Sequence, residues 1–385
     1  MLIALDKKTE YILKELQEAG FSAYVVGGSL RDLLLGRKTH DIDISTDAMP
    51  GQVKDIFKDY PVIETGIKHG TLTLIIENIP YEITTFRTEG LYSDNRRPDR
   101  VSFTASLEED LKRRDFTINA LAYSAKSGLV DLFGGQADLN RRIIRAVGDP
   151  VKRFSEDALR IMRALRFASV LGFNIEHDTK NAMTLYSHLL RRIAVERIFH
   201  ELMNMLGGDF FDSVLREYFL IFSHIMPEMK LPKKDITPLD TPLFRLAALF
   251  GSGEDACIAL RRLKADNYTV KKVLLLADSR PIPEGISNVK QLLCVSGKNA
   301  LDIALFRELF HYEKGSYERV KKVCNSGECY SLSNLAVNGS DIAALGFSGV
   351  DVGRVLSKLL DNVINGDLEN KKEALINAAK GIDNR

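Results

Sequence analysis

Two aspartates on a short run with strand character are the first residues whose spacing suggests chemistry. Asp41 and Asp43 belong to the segment His40-Asp-Ile-Asp-Ile-Ser-Thr46, and alternate residues of a strand point to the same side of a sheet. The two carboxylates therefore share one face, whereas Ile42 and Ile44 face a core. A divalent hard cation relieves the repulsion between such carboxylates, and Mg²⁺ also accepts substrate phosphates. The spacing favours a magnesium site, although two solvated aspartates on an ordinary strand have the same pattern.

A glycine pair shortly before these aspartates suggests a phosphate-binding turn. In Val26-Gly-Gly-Ser-Leu-Arg-Asp32 the glycines stand ahead of a predicted helix, where backbone N–H groups can approach a triphosphate. Arg31 lies close enough in sequence to offset the phosphate charge. Glu82, on the strand-like run Tyr81–Phe86, is a candidate third carboxylate from a neighbouring strand. An Asp-x-Asp that follows the Gly-Gly-x-x-Arg-Asp run by about ten residues is far more specific than an isolated Asp-x-Asp.

The elements that must position these residues change character along the chain. Four strand-like runs alternate with turns in the first part: Ser22–Val26, Asp41–Ile44, Thr71–Ile76 and Tyr81–Phe86. A helix pattern at Leu30–Leu35 follows the first of them. From Asp149 onward almost only helical periodicity remains. The sequence therefore predicts an α/β domain over residues 1–140, followed by helices to the end of the chain.

The composition excludes several classes of protein. The chain has 385 residues, of which 45% are hydrophobic and 27% charged, which is typical of a globular protein with about two to four domains. No run approaches the ~18 apolar residues of a membrane span, and neither a P-loop nor a GxGxxG dinucleotide motif is present. The start of the chain lacks signal-peptide features, and its four cysteines are few enough to be free thiols. We therefore expect a cytoplasmic protein with no membrane partner.

The charge is balanced overall but not locally. Lys and Arg number 53 against 52 Asp and Glu, which argues against a strongly basic nucleic-acid-binding chain. Residues 140–200, however, hold twelve Lys and Arg against six Asp and Glu. Such an excess suits either a solvated helical surface or contact with RNA, and composition alone does not decide between them.

Five motifs follow one another in the chain. They are Gly27-Gly-Ser-Leu-Arg-Asp32, Asp41-Ile-Asp43, Arg113-Arg-Asp-Phe-Thr-Ile-Asn-Ala120, Glu156-Asp-Ala-Leu-Arg160 with Arg163 and Arg166, and Arg192-Ile-Ala-Val-Glu-Arg197. In type and order they resemble the motifs of bacterial class II CCA-adding enzymes, the tRNA nucleotidyltransferases of the polymerase-β superfamily. The resemblance covers roughly residues 20–205, and the later helices resemble the family's body and tail more loosely.

The resemblance implies a multidomain fold with a seahorse-like arrangement. An α/β nucleotidyltransferase head would be followed by an all-α neck, which carries the nucleotide-selecting helix, and then by an all-α body and tail. We expect the head over residues 1–140, the neck over 141–205, the body over 206–300 and a tRNA-binding tail over 301–385.

The resemblance also assigns roles to particular residues. Asp41 and Asp43 match the catalytic, metal-binding carboxylates, whereas Glu82 remains a candidate catalytic residue from the strand pattern alone. The nucleotide-binding positions are Gly28, Arg31 and Arg114 in the head and Asp157, Arg160, Arg163 and Arg166 in the neck. Within the neck, Asp157 and Arg160 match the pair that selects the base.

The chemistry of base choice agrees with that pair. Cytosine and adenine each present an amino donor beside a ring-nitrogen acceptor, which a carboxylate and a guanidinium match, whereas uracil and guanine reverse the pattern. A spacing of three predicts that Asp157 and Arg160 are neighbours on one helix face, where a plain surface ion pair is the other interpretation. Arg166 would then lie on the opposite side of the helix from Asp157. We therefore expect Arg163 and Arg166 to organise the pair, contact phosphate or bind RNA.

The function implied by the resemblance is template-independent addition of CCA to the 3′ end of tRNA. CTP and ATP would be the substrates, Mg²⁺ the cofactor and pyrophosphate the product, with the acceptor stem and top half of tRNA as the bound partner. In-line attack of a 3′-hydroxyl on the α-phosphate requires mainly positioning and charge neutralisation. The sequence leaves open whether the chain forms a homodimer.

The polar segment Thr85–Pro98 matches a flexible loop that the family associates with the switch to the terminal A. Its full length favours CCA or A addition, although an ordinary surface hairpin loop has the same composition. Tyr92, Arg96 and Arg97 are candidate contacts to the nucleotide or the acceptor end. The open alternatives are an enzyme that adds only A or only CC, a bacterial poly(A) polymerase, and an inactive RNA-binding protein.

Overall fold

The computed structural model of the protein describes residues 3–39, 42–89 and 101–382. Its chain divides into two compact units: Met1–Pro227 with Arg262–Ala265, and Glu228–Arg261 with Asp266–Arg385. The finer division into head, neck, body and tail stays a prediction. No helix among the described residues is long and apolar enough to cross a membrane, and all four cysteines are free thiols, as the sequence predicts.

The first unit contains all the strands that the structure describes. They are β1 (Ala23–Val26), β2 (Ile42–Thr46), β3 (Val62–Gly66), β4 (Thr71–Ile76), β5 (Ile79–Thr85), β6 (Arg87–Glu89), β7 (Val101–Phe103), β8 (Leu121–Ser124), β9 (Gly128–Asp131), β10 (Ile143–Ile144) and β11 (Asn174–Ile175). Seven of them form one mixed sheet in the order β3-β4-β5-β2-β1-β8-β9, and the others form two separate pairs, β6 with β7 and β10 with β11. The four predicted strand runs are confirmed, with small shifts in their boundaries.

The centre of this sheet determines where the acidic residues lie. β2 runs parallel to β5 with Asp43 beside Glu82 in register, and it runs antiparallel to β1 on its other side. Alternation sends Ile44 to the opposite face, where it is buried with Ile83 and Val25. The apolar face therefore fixes β2 in the core and leaves the Asp43 and Glu82 side chains on a common face.

Helices surround and follow the sheet in the first unit. They are α1 (Lys7–Glu18), α2 (Gly27–Leu34), α3 (Pro50–Ile56), α4 (Leu107–Lys112), α5 (Gly135–Arg141), α6 (Pro150–Glu156), α7 (Leu159–Leu171), α8 (His177–Tyr186), α9 (Val195–Leu206), α10 (Phe211–Glu217) and α11 (Phe219–Ser223), with 3₁₀ turns at Ile67–His69, Thr117–Asn119 and Ser187–Arg192. The start of α1 illustrates the local cause, because the Asp6 side chain accepts hydrogen bonds from the backbone N–H groups of Lys8 and Thr9.

The helix after β1 begins earlier than predicted. The sequence predicts a helix after the glycine pair, but the structure includes both glycines in the first turn of α2. Gly27 has a φ of 70°, a left-handed conformation that glycine adopts without steric cost. The chain can therefore turn directly from β1 into α2, which brings the start of the helix next to β2.

The second unit is helical throughout its described part, as the sequence predicts. Its helices are α12 (Pro242–Ala248), α13 (Gly253–Arg262), α14 (Asn267–Ala277), α15 (Ile286–Ser296), α16 (Asn299–His311), α17 (Ser316–Cys324), α18 (Gly339–Ala343), α19 (Val350–Asn365) and α20 (Lys372–Lys380), with a 3₁₀ turn at Leu332–Asn334. One apolar cluster joins the last three helices and includes Ile342, Leu359 and Leu375. α19 ends at Gly366 in the left-handed conformation that commonly terminates helices.

Candidate active site

A cavity of about 520 Å³ opens in the first unit between the sheet, α2, α7 and α9. The described residues that line it include eight arginines and three aspartates: Arg31, Arg87, Arg113, Arg114, Arg160, Arg163, Arg166 and Arg197, with Asp43, Asp115 and Asp157. Pockets for small ligands have volumes of about 300–1,000 Å³, so a nucleotide can enter. The excess of arginine over aspartate favours a ligand with several negative charges.

Most of the residues predicted from the sequence meet in this cavity. Eight of them line it: Gly28, Arg31, Asp43, Arg114, Asp157, Arg160, Arg163 and Arg166. Glu82 is not among the described lining residues, although it lies beside Asp43 in the sheet register. Asp41 lies outside the described residues. Within the described ranges no group of three or more His, Cys, Asp or Glu residues is arranged to hold a metal ion.

Gly27 allows two charged groups to approach the first turn of α2. A Cβ atom at this position would lie 3.1 Å from Arg114 Nη1 and 3.2 Å from Asp43 Oδ2. Any side chain would therefore crowd both groups, in addition to the strain of the positive φ angle. At Gly28 the nearest atom to such a Cβ belongs to the Arg31 side chain, 3.6 Å away. The glycine pair thus keeps the end of the cavity near Asp43 open.

Asp110 holds two of the cavity arginines from behind. Its carboxylate is fully buried and accepts hydrogen bonds from Arg113 Nε (3.0 Å) and Nη2 (2.8 Å) and from Arg114 Nη2 (3.2 Å). Burial alone raises the pKa of Asp110, but the charges of Arg113 and Arg114 outweigh it and hold that pKa below its usual value. The buried Nε of Arg114 makes no hydrogen bond within the described part of the chain.

A chain of hydrogen bonds connects α2 to α7. Arg31 Nη1 donates to Asn119 Oδ1 (2.8 Å), and Asn119 Nδ2 donates to Asp115 Oδ1 (3.0 Å). Arg163 Nε donates to the other oxygen of Asp115 at 2.7 Å. Burial raises the pKa of Asp115, but the adjacent guanidinium of Arg163 more than offsets this and holds the pKa well below its usual range. Asp115 is therefore charged, and it holds Arg163 in place by an ion pair.

α9 provides a second buried carboxylate for the same helix. Glu201 is 6% exposed, and its Oε2 atom accepts a hydrogen bond from Arg166 Nε at 2.6 Å. Its other oxygen lies 3.6 Å from Arg163 Nη1. Two arginines that are three residues apart on α7 therefore share one acidic partner.

The structure corrects the prediction that Asp157 and Arg160 lie on one helix face. Asp157 has an extended backbone (φ −140°, ψ 101°) between the end of α6 and the start of α7 at Leu159. Its Oδ1 atom accepts a hydrogen bond from the Leu159 N–H at 3.0 Å, so the carboxylate caps the new helix. The argument that a straight helix keeps Arg166 away from Asp157 is also wrong, because Asp157 is not on α7 and both residues line the cavity.

The two residues of the predicted base-selecting pair are each held by further groups. Arg197 Nη2 donates to Asp157 Oδ2 at 3.1 Å. Arg160 is buried, and it donates to Glu156 Oε2 at 3.2 Å and to the Arg113 carbonyl oxygen at 3.1 Å. Both side chains therefore have fixed positions at the wall of the cavity.

Sequence reasoning gave no site role to three of the lining arginines, Arg87, Arg113 and Arg197, or to Asp110, Asp115, Asn119, Phe167 and Glu201, which also shape the cavity. Asp115 and Asn119 lie inside the quoted motif that begins at Arg113, and an acidic and an amide group after two arginines were the available signal. Phe167 directly follows Arg166, and its helical spacing predicts only that it is a core residue. Nothing local marks Glu201, because its partner on α7 is 35 residues away in sequence.

The predicted loop is only partly covered by the structure. β5 ends at Thr85, and β6 pairs antiparallel with β7, with Arg87 opposite Phe103. This pairing agrees with a hairpin. The candidate contacts Tyr92, Arg96 and Arg97 lie outside the described residues.

A cationic, nucleotide-sized cavity beside the acidic strand of a mixed sheet is the arrangement expected of a nucleotidyltransferase. Comparisons with known proteins agree. A family model described as the Poly A polymerase head domain matches residues 23–145, one described as a "Probable RNA and SrmB-binding site of polymerase A" matches 172–231, and one for tRNA nucleotidyltransferase domain 2 matches 244–379.

Similarity to individual proteins extends over nearly the whole chain. The CCA-adding enzyme of Ligilactobacillus salivarius is 39% identical over 98% of this chain and 96% of the relative, and that of Enterococcus faecalis is 38% identical over 97% and 95%. The crystal structure of the Bacillus stearothermophilus CCA-adding enzyme in complex with CTP superposes with a TM-score of 0.80 at 33% identity, covering 97% of this chain and 96% of that one. The chain belongs to the CCA-adding enzyme family of tRNA nucleotidyltransferases, which confirms the resemblance and the predicted α/β head followed by helices.

Proposed function

We propose that this protein adds CCA to the 3′ end of tRNA from CTP and ATP and releases pyrophosphate. The observation that supports this most directly is the cavity in which eight arginines surround a small number of carboxylates next to Asp43. Its charge suits a nucleoside triphosphate and a polynucleotide end. The relatives named above support the choice of CCA addition within the nucleotidyltransferases.

The phosphates would bind at the end of the cavity formed by α2. Gly28 lies in the first turn of that helix, where backbone N–H groups without helical partners favour anions. Arg31 and Arg114 line the same cavity and carry charges that offset those of the triphosphate.

Asp41 and Asp43, with Glu82 as a third carboxylate, would hold Mg²⁺. The donor chemistry fits this ion, because Asp43 and Glu82 offer oxygen ligands from adjacent positions of two parallel strands. When bound, the ion would neutralise charge on the reacting phosphate and favour ionisation of the attacking hydroxyl. The residues of this chain position the tRNA 3′-hydroxyl and the α-phosphate in line and keep the triphosphate oriented.

Asp157 and Arg160 would select the base. A carboxylate oxygen has lone pairs beyond those used by Arg197 and the Leu159 N–H, so Asp157 can still accept a hydrogen bond from the amino group of cytosine or adenine. Arg160 would donate to the adjacent ring nitrogen. Because Glu156 and the Arg113 carbonyl group hold Arg160, the pair would discriminate by fixed geometry. Arg163 and Arg166 would contact the nucleotide from α7.

We propose that the tRNA partner binds through its acceptor stem and top half. The basic segment over residues 140–200 and the tail over 301–385 would contact phosphates and helix shape, as proteins do with A-form RNA. The head over 1–140, the neck over 141–205 and the body over 206–300 complete the proposed division. A cytoplasmic location follows from the substrates, because tRNA and free nucleotides are found there.

The decisive experiment is an incorporation assay on tRNA that ends at the discriminator base. Each NTP is supplied singly, and CTP is also supplied with ATP, always with Mg²⁺. We expect three added residues only when CTP and ATP are both present. Products that stop at CC, or addition only to tRNA already ending in CC, would instead identify a partial enzyme. A long A tail would identify a poly(A) polymerase, and tRNA binding without any product would identify an inactive protein.

A further inference from the structure

One aromatic ring contacts three of the cavity arginines. Phe167 on α7 is 4% exposed and lines the cavity. The guanidinium carbons of Arg166, Arg31 and Arg163 lie 4.2 Å, 4.9 Å and 5.6 Å from its ring centroid. All three distances fall within the ~6 Å range over which an aromatic face attracts a cation. The ring thus lies at the centre of a group of like charges.

The ring is itself held in place. Phe116, which is fully buried, packs edge to face against it, with centroids 5.8 Å apart and planes at 87°. Phe116 belongs to the segment that follows Arg114, so a part of the chain outside α7 packs against a ring that α7 provides. A fixed ring limits the orientations of guanidinium groups that stack on it, because cation–π attraction depends on their position over the face.

The three arginines come from two different elements. Arg31 belongs to α2, whereas Arg163 and Arg166 belong to α7. Arg31 pairs with Asp32, Arg163 pairs with Asp115 and Glu201, and Arg166 pairs with Glu201. Asn119 and Asp115 connect Arg31 with Arg163 by hydrogen bonds, and no such bond among the described residues connects Arg31 with Arg166. The Phe167 ring is a surface that the two sets of guanidinium groups share.

We propose that Phe167 is a positioning residue for the nucleotide. By stacking against three guanidinium groups it aligns them toward the phosphate end of CTP and of ATP alike, and it offsets part of their mutual repulsion before the nucleotide binds. This inference rests on the proposed function. Because the arginines that it aligns would contact phosphate, Phe167 affects nucleotide affinity without affecting the choice of base.

The test compares three substitutions in the full-length protein. Phe167→Leu removes the aromatic face but keeps an apolar side chain, and Phe167→Tyr keeps the face. Phe222→Leu is the matched control, because Phe222 is fully buried in the same unit, does not line the cavity and packs against Phe211. The measurements are KM and kcat for CTP and for ATP on tRNA substrates, the dissociation constant for magnesium pyrophosphate by calorimetry, and the thermal unfolding midpoint.

For Phe167→Leu we expect KM for CTP and for ATP, and the dissociation constant for pyrophosphate, to rise together by about tenfold, as the loss of several partly desolvated cation–π contacts implies. The turnover number should change less. Phe167→Tyr should stay within about twofold of the wild type because the ring face persists. Phe222→Leu should lower the unfolding midpoint and leave both KM values unchanged.

A folded Phe167→Leu protein with wild-type KM and wild-type pyrophosphate affinity would overturn the proposal, as would a loss of stability alone that matches Phe222→Leu. If Phe167→Leu does not fold, Phe167→Met supplies the same comparison with a side chain of closer volume. A wild-type protein that incorporates neither CTP nor ATP would refute the proposed function instead. The calorimetric comparison still decides the role of Phe167 in that case, because it requires no turnover.

Discussion

The substitution Asp110→Asn removes one charge from the back of the cavity while it preserves the shape of the side chain. Asp110 is 0% exposed, and three of its hydrogen bonds come from the charged groups of Arg113 and Arg114, at 2.8–3.2 Å. Removing one partner of a buried ion pair costs about 3–5 kcal/mol. Because an asparagine oxygen can still accept from one arginine, we expect the free energy of unfolding to fall by about 3 kcal/mol, at the lower end of that range.

The effect on activity follows from the same contacts. Without a charged acceptor, Arg113 and Arg114 are no longer held in one orientation at the wall of the cavity, so each would lose order before the nucleotide binds. We expect kcat/KM for CTP to fall by roughly 10- to 100-fold, which corresponds to about 1.4–2.8 kcal/mol of lost transition-state stabilisation. Incorporation kinetics on tRNA measure this loss, and urea unfolding measures the change in stability.

The dependence on pH identifies the responsible group. The folded-state pKa of Asp110 is lowered, so its charge stabilises the folded protein above the unfolded-state pKa of about 3.9 and ceases to do so as the pH falls through the folded value. The difference in unfolding free energy between the wild type and Asp110→Asn should therefore be constant between about pH 8 and about pH 5 and shrink only below about pH 4.

Asp55→Asn is the matched control for this experiment, because Asp55 is an exposed residue of α3 in the same unit and its substitution changes the net charge equally. We expect its unfolding free energy to stay within about 0.5 kcal/mol of the wild type. If Asp110→Asn behaved like this control, or if its effect varied between about pH 8 and about pH 5, the buried ion pairs would not be the source of the stabilisation.

Three further predictions follow from the site. Gly27→Ala should abolish most activity, because its Cβ would crowd Asp43 and Arg114. Gly36→Ala is the control, because Gly36 has a similar φ of 68° but open space around it. It should cost only about 1–2 kcal/mol of stability. Asp157→Asn should reduce discrimination of CTP against UTP by about tenfold or more, because an amide can also donate a hydrogen bond to a base. Unchanged kcat/KM ratios for the four NTPs would show that other residues select the base. The affinity for tRNA should fall by about tenfold or more between about 50 and about 200 mM salt, and a flat salt dependence by filter binding would argue against phosphate contacts.

Local patterns predicted the acidic strand well. Both strands were predicted: one from the alternation of Asp43 with Ile44, the other from the turn-bounded run around Glu82. The structure pairs Asp43 with Glu82 in register. A period of two residues is a property of the strand itself, so burial of one face was enough to orient the other. The catalytic roles of these residues stay predictions, because register describes position and does not test chemistry.

Helical periodicity failed where a cap interrupts it. Asp157 and Arg160 lie in a stretch whose apolar spacing continues almost unbroken, and only the ability of an aspartate to accept a backbone N–H indicates that a new helix can begin there. The other contacts are distant in sequence: Arg31 and Asn119 are 88 residues apart, and Asp115 and Arg163 are 48 apart. Periodicity within an element carries no information about such partners, which depend on how the elements pack.

The arrangement of charges in the cavity explains why its arginines can be ready before a nucleotide binds. Several lining arginines have an acidic partner: Arg31 with Asp32, Arg113 and Arg114 with Asp110, Arg160 with Glu156, Arg163 with Asp115, Arg166 with Glu201, and Arg197 with Asp157. A guanidinium has five N–H donors, so an acid that occupies one or two of them fixes its orientation and leaves others for a phosphate or a base. Prior orientation removes much of the side-chain entropy cost that binding would otherwise carry. In the proposed reaction it would also supply fixed positive charges near the position where negative charge develops. We therefore expect that neutral amide variants of the buried acids Asp110, Asp115 and Glu201 lower kcat/KM through the arginines that these acids hold.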